Sequence, residues 1–168
     1  GYLEVMTPIA KAWSTDQGFE VSSTGIQVHG GMGYIEESGA AQYLRDARIT
    51  MIYEGTNGIQ ALDLVKRKLI RETAAINRIS LGMNDTVDAL KRSKDAALKA
   101  IGDELGLAVP PLEQATIWMQ NTIPSDPIAA ASGATPYCRM FGFIAAGWLL
   151  ARSALRAKEI GHPTKVDT

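Results

Sequence analysis

The spacing of apolar residues near the start of the chain predicts a long amphipathic helix. Four of them repeat at the i, i+3, i+4, i+7 interval that places side chains on one helical face: Met6, Ile9, Ala10 and Trp13. We expect this helix to run from about residue 4 to about residue 29. The glycine-rich sequence 29–33 then stops it, because glycine adopts positive φ and permits close backbone approach.

Two shorter helices around a turn are predicted between residues 36 and 70. The first covers 36–48. Residues 49–53 have strand-like composition but no second strand to pair with, so we interpret them as irregular or helical. In the turn that follows, Thr56 or Asn57 can cap the next helix, and Asn57 with Gln60 three residues later resembles a capping box. The apolar face of that next helix is predicted to consist of Ile59, Leu62, Val65 and Leu69.

Beyond residue 70 the pattern predicts longer helices. A charged amphipathic helix is expected over 84–105, and Pro110-Pro111 is expected to end a connection and begin the next helix. Ser125-Asp126-Pro127 and Thr135-Pro136 each place a capping side chain before a proline at the first helical position. The last helix, 136–160, is apolar nearly all round and is expected to be a buried central helix. The predicted fold class is therefore all-α, with antiparallel bundles in two units, 1–70 and 71–168.

Composition and charge exclude several functional classes. The 168 residues carry 17 basic and 18 acidic side chains, a net charge of -1, so a nucleic-acid-binding surface is not expected. One cysteine forms no internal disulfide, and two histidines do not supply a usual structural zinc site, so no metal site is predicted. The apolar run 141–151 is too short to span a bilayer, so no integral membrane segment is predicted. Because the chain enters a helix directly after Gly1, we expect it to be a piece of a longer protein.

Glu54 is the main candidate for chemistry, and two interpretations stay open at this point. A glutamate before a helix is commonly a solvated carboxylate favoured by the helix dipole. It can also be a general base whose pKa is raised by burial. The other candidates have plainer interpretations: the glycines at 30–33 stop a helix, His29 packs or is solvated, and Arg45-Asp46 makes local ion pairs. Cys138, inside an apolar helix, is interpreted as a small hydrophobic residue with no activating partner.

Three sequence blocks together resemble the C-terminal helical domain of acyl-CoA dehydrogenases. They are Gln27-Val28-His29-Gly30-Gly31-Met32-Gly33-Tyr34, then Leu44-Arg45-Asp46-Ala47-Arg48-Ile49, then Ile52-Tyr53-Glu54-Gly55-Thr56-Asn57-Gly58-Ile59-Gln60. Their order and spacing fit over roughly residues 5–70. The remainder resembles a helical C-terminal extension of one bacterial-type branch, which includes 3-methylmercaptopropionyl-CoA dehydrogenases.

The resemblance implies a role for each matching position. Glu54 matches the base that removes the α-proton of an acyl-CoA thioester while the β-hydride passes to FAD, and its backbone N–H would help to hold the thioester carbonyl. Tyr53 matches a residue lining the acyl pocket, and Gly55 one against the thioester and CoA. The positions matching FAD contacts of the neighbouring subunit are Gln27, Val28, His29, Gly30 and Gly31. Those matching FAD contacts of the same subunit are Thr56, Asn57 and Gly58.

The family also implies partners for the whole protein. An electron-transfer flavoprotein would reoxidise the FAD, and the protein would form a homodimer or homotetramer. We expect a cytoplasmic location in a bacterium, with the mitochondrial matrix as the alternative. An acyl-CoA oxidase would use the same residues, and a non-catalytic helical interaction module is the rival from another class. The piece alone is expected to bind FAD weakly or not at all and to be inactive.

Overall fold

A computed structural model of the chain describes residues 1–161, and the all-α prediction is confirmed over that range, which contains no β-strand. A 3-10 turn at Glu36–Ser38 precedes the third helix, and a π-helical stretch at Leu64–Lys68 joins the fourth helix to the fifth. The α-helices are α1 (Tyr2–His29), α2 (Gly31–Tyr34), α3 (Ala40–Thr50), α4 (Asn57–Asp63), α5 (Leu69–Arg71), α6 (Thr73–Lys91), α7 (Ala96–Thr122), α8 (Pro127–Ser132) and α9 (Ala134–Ile160).

The helix predicted over 4–29 is confirmed as α1, whereas the one predicted over 36–48 is displaced. α1 ends at Gly30, which adopts φ 63° and donates its N–H to the Gln27 carbonyl. Gly39, at φ 74°, separates the 3-10 turn from α3, so α3 begins at Ala40 and runs on to Thr50. The interpretation of 49–53 as irregular or helical is confirmed, because α3 ends within it and a turn follows.

The helix after this turn has only part of the predicted apolar face. Val65 and Leu69 are fully buried and Leu62 packs against the core, but Ile59 is 56% exposed. The π-helical stretch inserts an extra residue into the helical register. Side chains before and after the stretch therefore do not share the stripe that a 3.6-residue period predicts.

The predicted helix over 84–105 is wrong, because the chain breaks between α6 and α7. Asp95 is the N-cap of α7, and its carboxylate accepts hydrogen bonds from the N–H groups of Ala97 (3.0 Å) and Leu98 (3.4 Å). Lys158 of α9 also donates to this carboxylate, at 2.8 Å, and this bond together with the two backbone donors lowers the pKa of Asp95. The Ser93-Lys94-Asp95 sequence carried this capping signal.

Pro110 and Pro111 lie inside α7, so the expectation that they begin a new helix is also wrong. Proline removes the N–H that would bond four residues back. Both prolines lie on the exposed side of α7, where water can satisfy the carbonyls they leave unpaired, while Val109 and Leu112 beside them are buried in the core. Packing of the opposite face thus carries the helix through two residues that usually break one.

Of the two helix caps predicted directly before a proline, the one before Pro127 is confirmed and the one before Pro136 is wrong. Asp126 is confirmed as the cap of α8, since its carboxylate accepts the Ala129 N–H at 3.0 Å and Pro127 is the first helical residue. Thr135 caps nothing, because α9 begins one residue earlier, with Gly133 at its N-cap.

α9 is covered on one face rather than surrounded, so the expectation of a fully buried central helix is wrong in part. Phe141 and Trp148 are buried, but Phe143 and Leu150 are 47% and 72% exposed. By length and composition alone α9 could cross a membrane, a test that the core helix of a soluble protein also passes.

The long helices share one hydrophobic core that includes residues of both predicted units, from Val5 to Ala151. α6 and α7 are antiparallel and approach closely at Gly102, where a Cβ would lie 2.7 Å from the Leu90 Cβ. α9 lies against α1 with Gly142 on the Trp13 ring, and a Cβ there would lie 2.6 Å from Trp13 Cδ1. α1, the helix that carries the first candidate block, is thereby held against the C-terminal helices.

Candidate functional site

The turn between α3 and α4 displays Glu54 at the surface in an unusual backbone conformation. Glu54 is the one non-glycine residue with positive φ among residues 1–161, at φ 55°, and Gly55 beside it has φ 84°. Positive φ is uncommon for a residue with a side chain, and such residues cluster at functional sites. The side chains of Glu54 and Tyr53 are both exposed. We call residues 51–56 the Glu54 loop.

The Glu54 loop also presents unused backbone donors. Within residues 1–161, the N–H groups of Glu54, Gly55 and Thr56 donate no hydrogen bond. Tyr53 differs, since its N–H donates to the Ile49 carbonyl at 3.1 Å. A carboxylate with adjacent free N–H donors can accept a proton while the donors bind a nearby carbonyl oxygen.

Thr56, rather than Asn57, caps α4. The Thr56 hydroxyl oxygen accepts the Ile59 N–H at 3.3 Å, which confirms one of the two predicted caps. The predicted capping box is wrong, because the Gln60 side chain donates instead to the Glu54 carbonyl, at 2.9 Å.

The Asn57 side chain is turned into the protein toward α1. Its amide nitrogen is placed to donate to the Ala12 carbonyl (3.1 Å), the Thr15 hydroxyl (2.9 Å) and the Asp16 carboxylate (2.6 Å). The Asn57 N–H donates to the Met51 carbonyl at 3.1 Å. Both polar donors of Asn57 are thus engaged within the chain, and the residue ties the Glu54 loop to α1.

The glycine-rich segment at the end of α1 has an open surface. Gln27, Val28, His29, Gly30 and Gly31 are all exposed, and a Cβ added at either glycine would meet no atom within 4 Å. The His29 ring is held at its Nδ1 by the Gly25 carbonyl, at 2.8 Å.

Gly33 is the glycine of this cluster that packing requires. It is buried where α2 turns back on α1, and a Cβ there would lie 2.8 Å from the Cβ of His29 and collide with the backbone of Ile26. The glycine cluster therefore combines an open backbone surface with one close helix contact.

The structure does not bring the glycine-rich segment and the Glu54 loop together. Asn57, directly after the loop, is bonded to α1 at Ala12, Thr15 and Asp16, whereas Gln27 lies about three turns farther along the same helix. At a rise of 1.5 Å per residue, Asp16 and Gln27 are roughly 16 Å apart along the axis. The two predicted sets of contacts therefore form separate surfaces of the chain.

Arg45 makes the kind of local ion pair that its sequence context indicated. It binds both carboxylate oxygens of Glu36, at 2.9 and 2.7 Å, and also the Gln42 side-chain oxygen at 2.7 Å. The hydrogen bond to Glu36 raises the pKa of Arg45. Asp46 accepts the Gln42 amide at 2.7 Å, so Arg45 and Asp46 both serve local structure.

Exposed apolar side chains lie in and just after the glycine-rich segment and on α3, a feature that the sequence analysis missed. Val28 and Tyr34 are each 79% exposed and Tyr43 is 73% exposed. The sequence could have revealed this feature, because these apolar residues lie outside the helical faces that are predicted to be buried. Where such side chains form a contiguous patch, the patch is typical of a surface that another protein or a ligand covers.

Cys138 behaves as the sequence indicated. It is buried in α9, and burial, assisted by the nearby Asp16 carboxylate, raises the pKa of its thiol to about 11. A thiol held protonated in this way is not an activated nucleophile.

Two protein-family models match adjacent parts of the chain. The first, described as acyl-CoA dehydrogenase, C-terminal domain, matches residues 3–69. The second, described as acetyl-CoA dehydrogenase C-terminal like, matches residues 69–167.

Curated relatives carry related names. The chain is 39% identical over 155 residues to a 3-methylmercaptopropionyl-CoA dehydrogenase of Ruegeria pomeroyi, covering 92% of this chain and 26% of the relative. It is 30% identical over 158 residues to a broad-specificity linear acyl-CoA dehydrogenase of Mycobacterium tuberculosis, covering 90% and 26%. It is 35% identical over 105 residues to acyl-CoA dehydrogenase family member 11 of Caenorhabditis elegans, covering 59% and 17%. The chain thus spans about a quarter of the length of the first two relatives.

Proposed function

The chain belongs to the acyl-CoA dehydrogenase family, and we propose that it forms the C-terminal part of a flavin-dependent acyl-CoA dehydrogenase. The observation that carries this proposal is the Glu54 loop. It presents an exposed carboxylate at positive φ beside three N–H groups that no residue in 1–161 uses. We place the boundary between the family domain and its helical extension near residue 70, and the meeting of the two family matches at residue 69 supports this position.

In the proposed reaction Glu54 removes the α-proton of an acyl-CoA thioester. The electron pair of the broken α C–H bond forms the α,β double bond. The β-hydrogen leaves as hydride, so the product is the trans-2-enoyl-CoA. Bound FAD supplies the hydride acceptor. The backbone N–H of Glu54 donates to the thioester carbonyl and stabilises the negative charge that develops on its oxygen, which lowers the barrier to losing a weakly acidic proton. Tyr53 and Gly55 lie next to the base and are proposed to contact the acyl thioester.

The exposed backbone at the end of α1 fits a nucleotide-containing cofactor. Gly30 and Gly31 leave open space where a Cβ would stand, so a planar group can approach the main chain closely. We propose that Gln27, Val28, His29 and these two glycines contact FAD held by a neighbouring subunit. Their separation from the Glu54 loop along α1 supports two different cofactor contacts.

At the start of α4, the residues that we propose to contact FAD of the same subunit are Thr56 and Gly58. The Thr56 N–H is unused among the described residues, and Gly58 is exposed with open space at its Cβ position. Asn57 acts instead as an anchor, because its amide and its N–H are already engaged.

The whole protein is proposed to be a homodimer or homotetramer that passes electrons to an electron-transfer flavoprotein in the cytoplasm. The exposed Val28, Tyr34 and Tyr43 support a covered surface around the glycine-rich segment. The 168-residue chain alone is proposed to bind FAD weakly or not at all and to have no turnover. Tight stoichiometric binding of FAD to the isolated chain would contradict this.

The test uses the longer protein that contains this chain. Wild type, Glu54→Gln and Glu37→Gln, an exposed glutamate outside the loop, are mixed anaerobically with short, medium, long and methylthio-substituted acyl-CoAs while flavin absorbance is followed. We expect wild type and Glu37→Gln to bleach with one chain class and Glu54→Gln to bleach about 10²- to 10⁴-fold more slowly with unchanged acyl-CoA binding.

Other outcomes point to other functions. A protein that carries FAD and binds acyl-CoA without bleaching contradicts Glu54 as a working base and favours a non-catalytic interaction module. Fast reoxidation of the bleached flavin by oxygen, without the flavoprotein acceptor, identifies an acyl-CoA oxidase.

A further inference from the structure

Lys11 of α1 reaches across to the Glu54 loop. Its side-chain ammonium donates to the Gly55 carbonyl at 2.7 Å and to the Asn57 amide oxygen at 2.8 Å. The lysine is half-buried, and neither acceptor is a carboxylate. The Lys11 ammonium therefore binds the Gly55 carbonyl and the Asn57 amide rather than a carboxylate.

The Asn57 amide lies between two charges of opposite sign. Lys11 binds the amide oxygen, and the Asp16 carboxylate accepts from the amide nitrogen at 2.6 Å. Both contacts polarise the amide in the same direction, which strengthens each bond and excludes the flipped orientation. Because Lys11 and Asp16 are both on α1, this chain of bonds gives Asn57 a fixed position relative to that helix.

Two successive carbonyls of the loop are held by side chains. Gln60 donates to the Glu54 carbonyl at 2.9 Å, and Lys11 donates to the Gly55 carbonyl. These are the two loop residues with positive φ, and the orientation of their peptide planes determines where the Glu54 carboxylate and N–H point. No residue of 51–60 is buried, so apolar packing does little to hold this conformation.

We propose that Lys11 is a positioning residue that fixes the Glu54 loop to α1 and so orients the Glu54 carboxylate and N–H toward the substrate. The inference rests on the proposed function of Glu54. A general base must hold its geometry closely, since a displacement of about 1 Å can cost roughly 10²-fold in rate. Loss of the ammonium frees the Gly55 carbonyl and one end of the Asn57 amide, and the Glu54–Gly55 pair can then relax from positive φ.

Three variants of the longer protein test this role. Lys11→Met keeps an unbranched side chain and helix propensity but removes the donor, Lys11→Arg keeps the charge and the donors, and Lys99→Met removes an exposed lysine of α7 as the matched control. The rate of flavin bleaching at saturating acyl-CoA, the affinity for acyl-CoA, the FAD content and the melting temperature are measured for each.

We expect Lys11→Met to bleach about 10- to 100-fold more slowly than wild type, with FAD content and acyl-CoA affinity within about twofold of wild type. Lys11→Arg should recover most of the rate, and Lys99→Met should match wild type. Hydrogen exchange on the 168-residue chain gives a readout that needs no activity. The amides of Tyr53 and Asn57, which donate to the Ile49 and Met51 carbonyls, should exchange faster in Lys11→Met, while those of α6 and α7 stay unchanged.

The possible failures are distinguishable. If wild type bleaches and Lys11→Met bleaches equally fast, the positioning role is wrong and the proposed function stands. If Lys11→Met and Lys11→Arg both lose FAD and melt early, Lys11 has a general folding role and the inference is overturned. If wild type does not bleach, the proposed function fails, and unchanged exchange at the Tyr53 and Asn57 amides would overturn the positioning role as well.

Discussion

Residues 13–60, here called the site segment, and helices α6–α9, here called the bundle, are both helical but are stabilised differently. Between residues 13 and 60 only Gly33 and Ala41 are buried, whereas α6 and α7 each bury seven residues and α9 buries eight. The bundle is held mainly by apolar burial, at about 25 cal/mol per Å². The site segment is held more by side-chain hydrogen bonds, such as those of Asn57 to α1. This difference indicates that the bundle provides a stable base and that polar contacts fix the position of the site segment on it.

The largest expected effect comes from removing a core side chain of the bundle. Phe141 is 2% exposed and packs edge-on against Tyr137, with ring centroids 6.0 Å apart. Phe141→Ala should lower the free energy of unfolding by about 3–5 kcal/mol, measured by urea denaturation of the chain. Phe143→Ala, two residues along the same helix at a 47% exposed position, is the matched control and should cost clearly less. Equal losses would contradict the assignment of α9's inner face.

A smaller effect is expected from the polar anchor of the site segment. Asn57→Ala leaves Asp16 and Lys11 without their shared amide, so it should lower the free energy of unfolding by about 1–3 kcal/mol. Asn77→Ala, at an exposed position of α6, should change it by less than about 0.5 kcal/mol. Melting curves of both variants compare the two sites, and an Asn57→Ala chain as stable as wild type would show that the hydrogen bonds to α1 do not stabilise the site segment.

The effect of Cys138 on the pH dependence of stability tests the contact between the site segment and the bundle. Burial and the Asp16 carboxylate of the site segment raise its pKa from 9.0 to about 11, so the folded chain holds the thiol proton more tightly than the unfolded chain. The resulting stability is fully present below pH 9 and is lost as pH rises toward 11, with a loss of about 1 kcal/mol at pH 10. Comparing the pH dependence of unfolding for wild type and Cys138→Ala isolates this contribution. Identical curves between pH 8 and 11 would contradict the burial of the thiol.

The smallest effect is expected on the exposed apolar surface of the site segment. Tyr43 is 73% exposed, so Tyr43→Ser should change the free energy of unfolding of the 168-residue chain by less than about 0.5 kcal/mol. In the longer protein the same change should lower the melting temperature, if this surface is covered there. A large loss in the isolated chain would show that Tyr43 supports the site segment internally.

Local sequence patterns predicted most of the helices and two of their caps. The apolar repeat ending at glycine located α1, and Thr56 and Asp126 were each recognised as caps from their own neighbourhood. Two of the failed predictions trace to contacts with a distant segment. Pro110 and Pro111 remain helical because the opposite face of α7 packs on the core, and Asn57 left the predicted capping box because α1 offers it better partners.

The candidate site likewise combines features that local sequence predicts with contacts between residues far apart in the chain. The residue types and order around Glu54 were sufficient to suggest a base next to helix-start donors, and the unused N–H groups of the loop agree with that chemistry. Its support was not visible in the sequence, because Lys11 lies 44 residues before Gly55 and no local pattern connects them. The exposure of Val28 and Tyr43 was likewise not predicted from the sequence.

By itself the sequence determined the helical character of the chain and its glycine stops, since these depend on residues within one or two turns of each other, and its resemblance to a known family singled out Glu54 as the candidate base. The tertiary structure decided which helices continue past prolines, that α1 carries both the open glycine segment and the anchor of the Glu54 loop, and which apolar side chains remain exposed. Those properties depend on the packing of α1 against α9 and of α6 against α7, contacts between segments far apart in the chain. Helical periodicity defines the face that a helix buries, but only the partner helix determines how much of that face is covered.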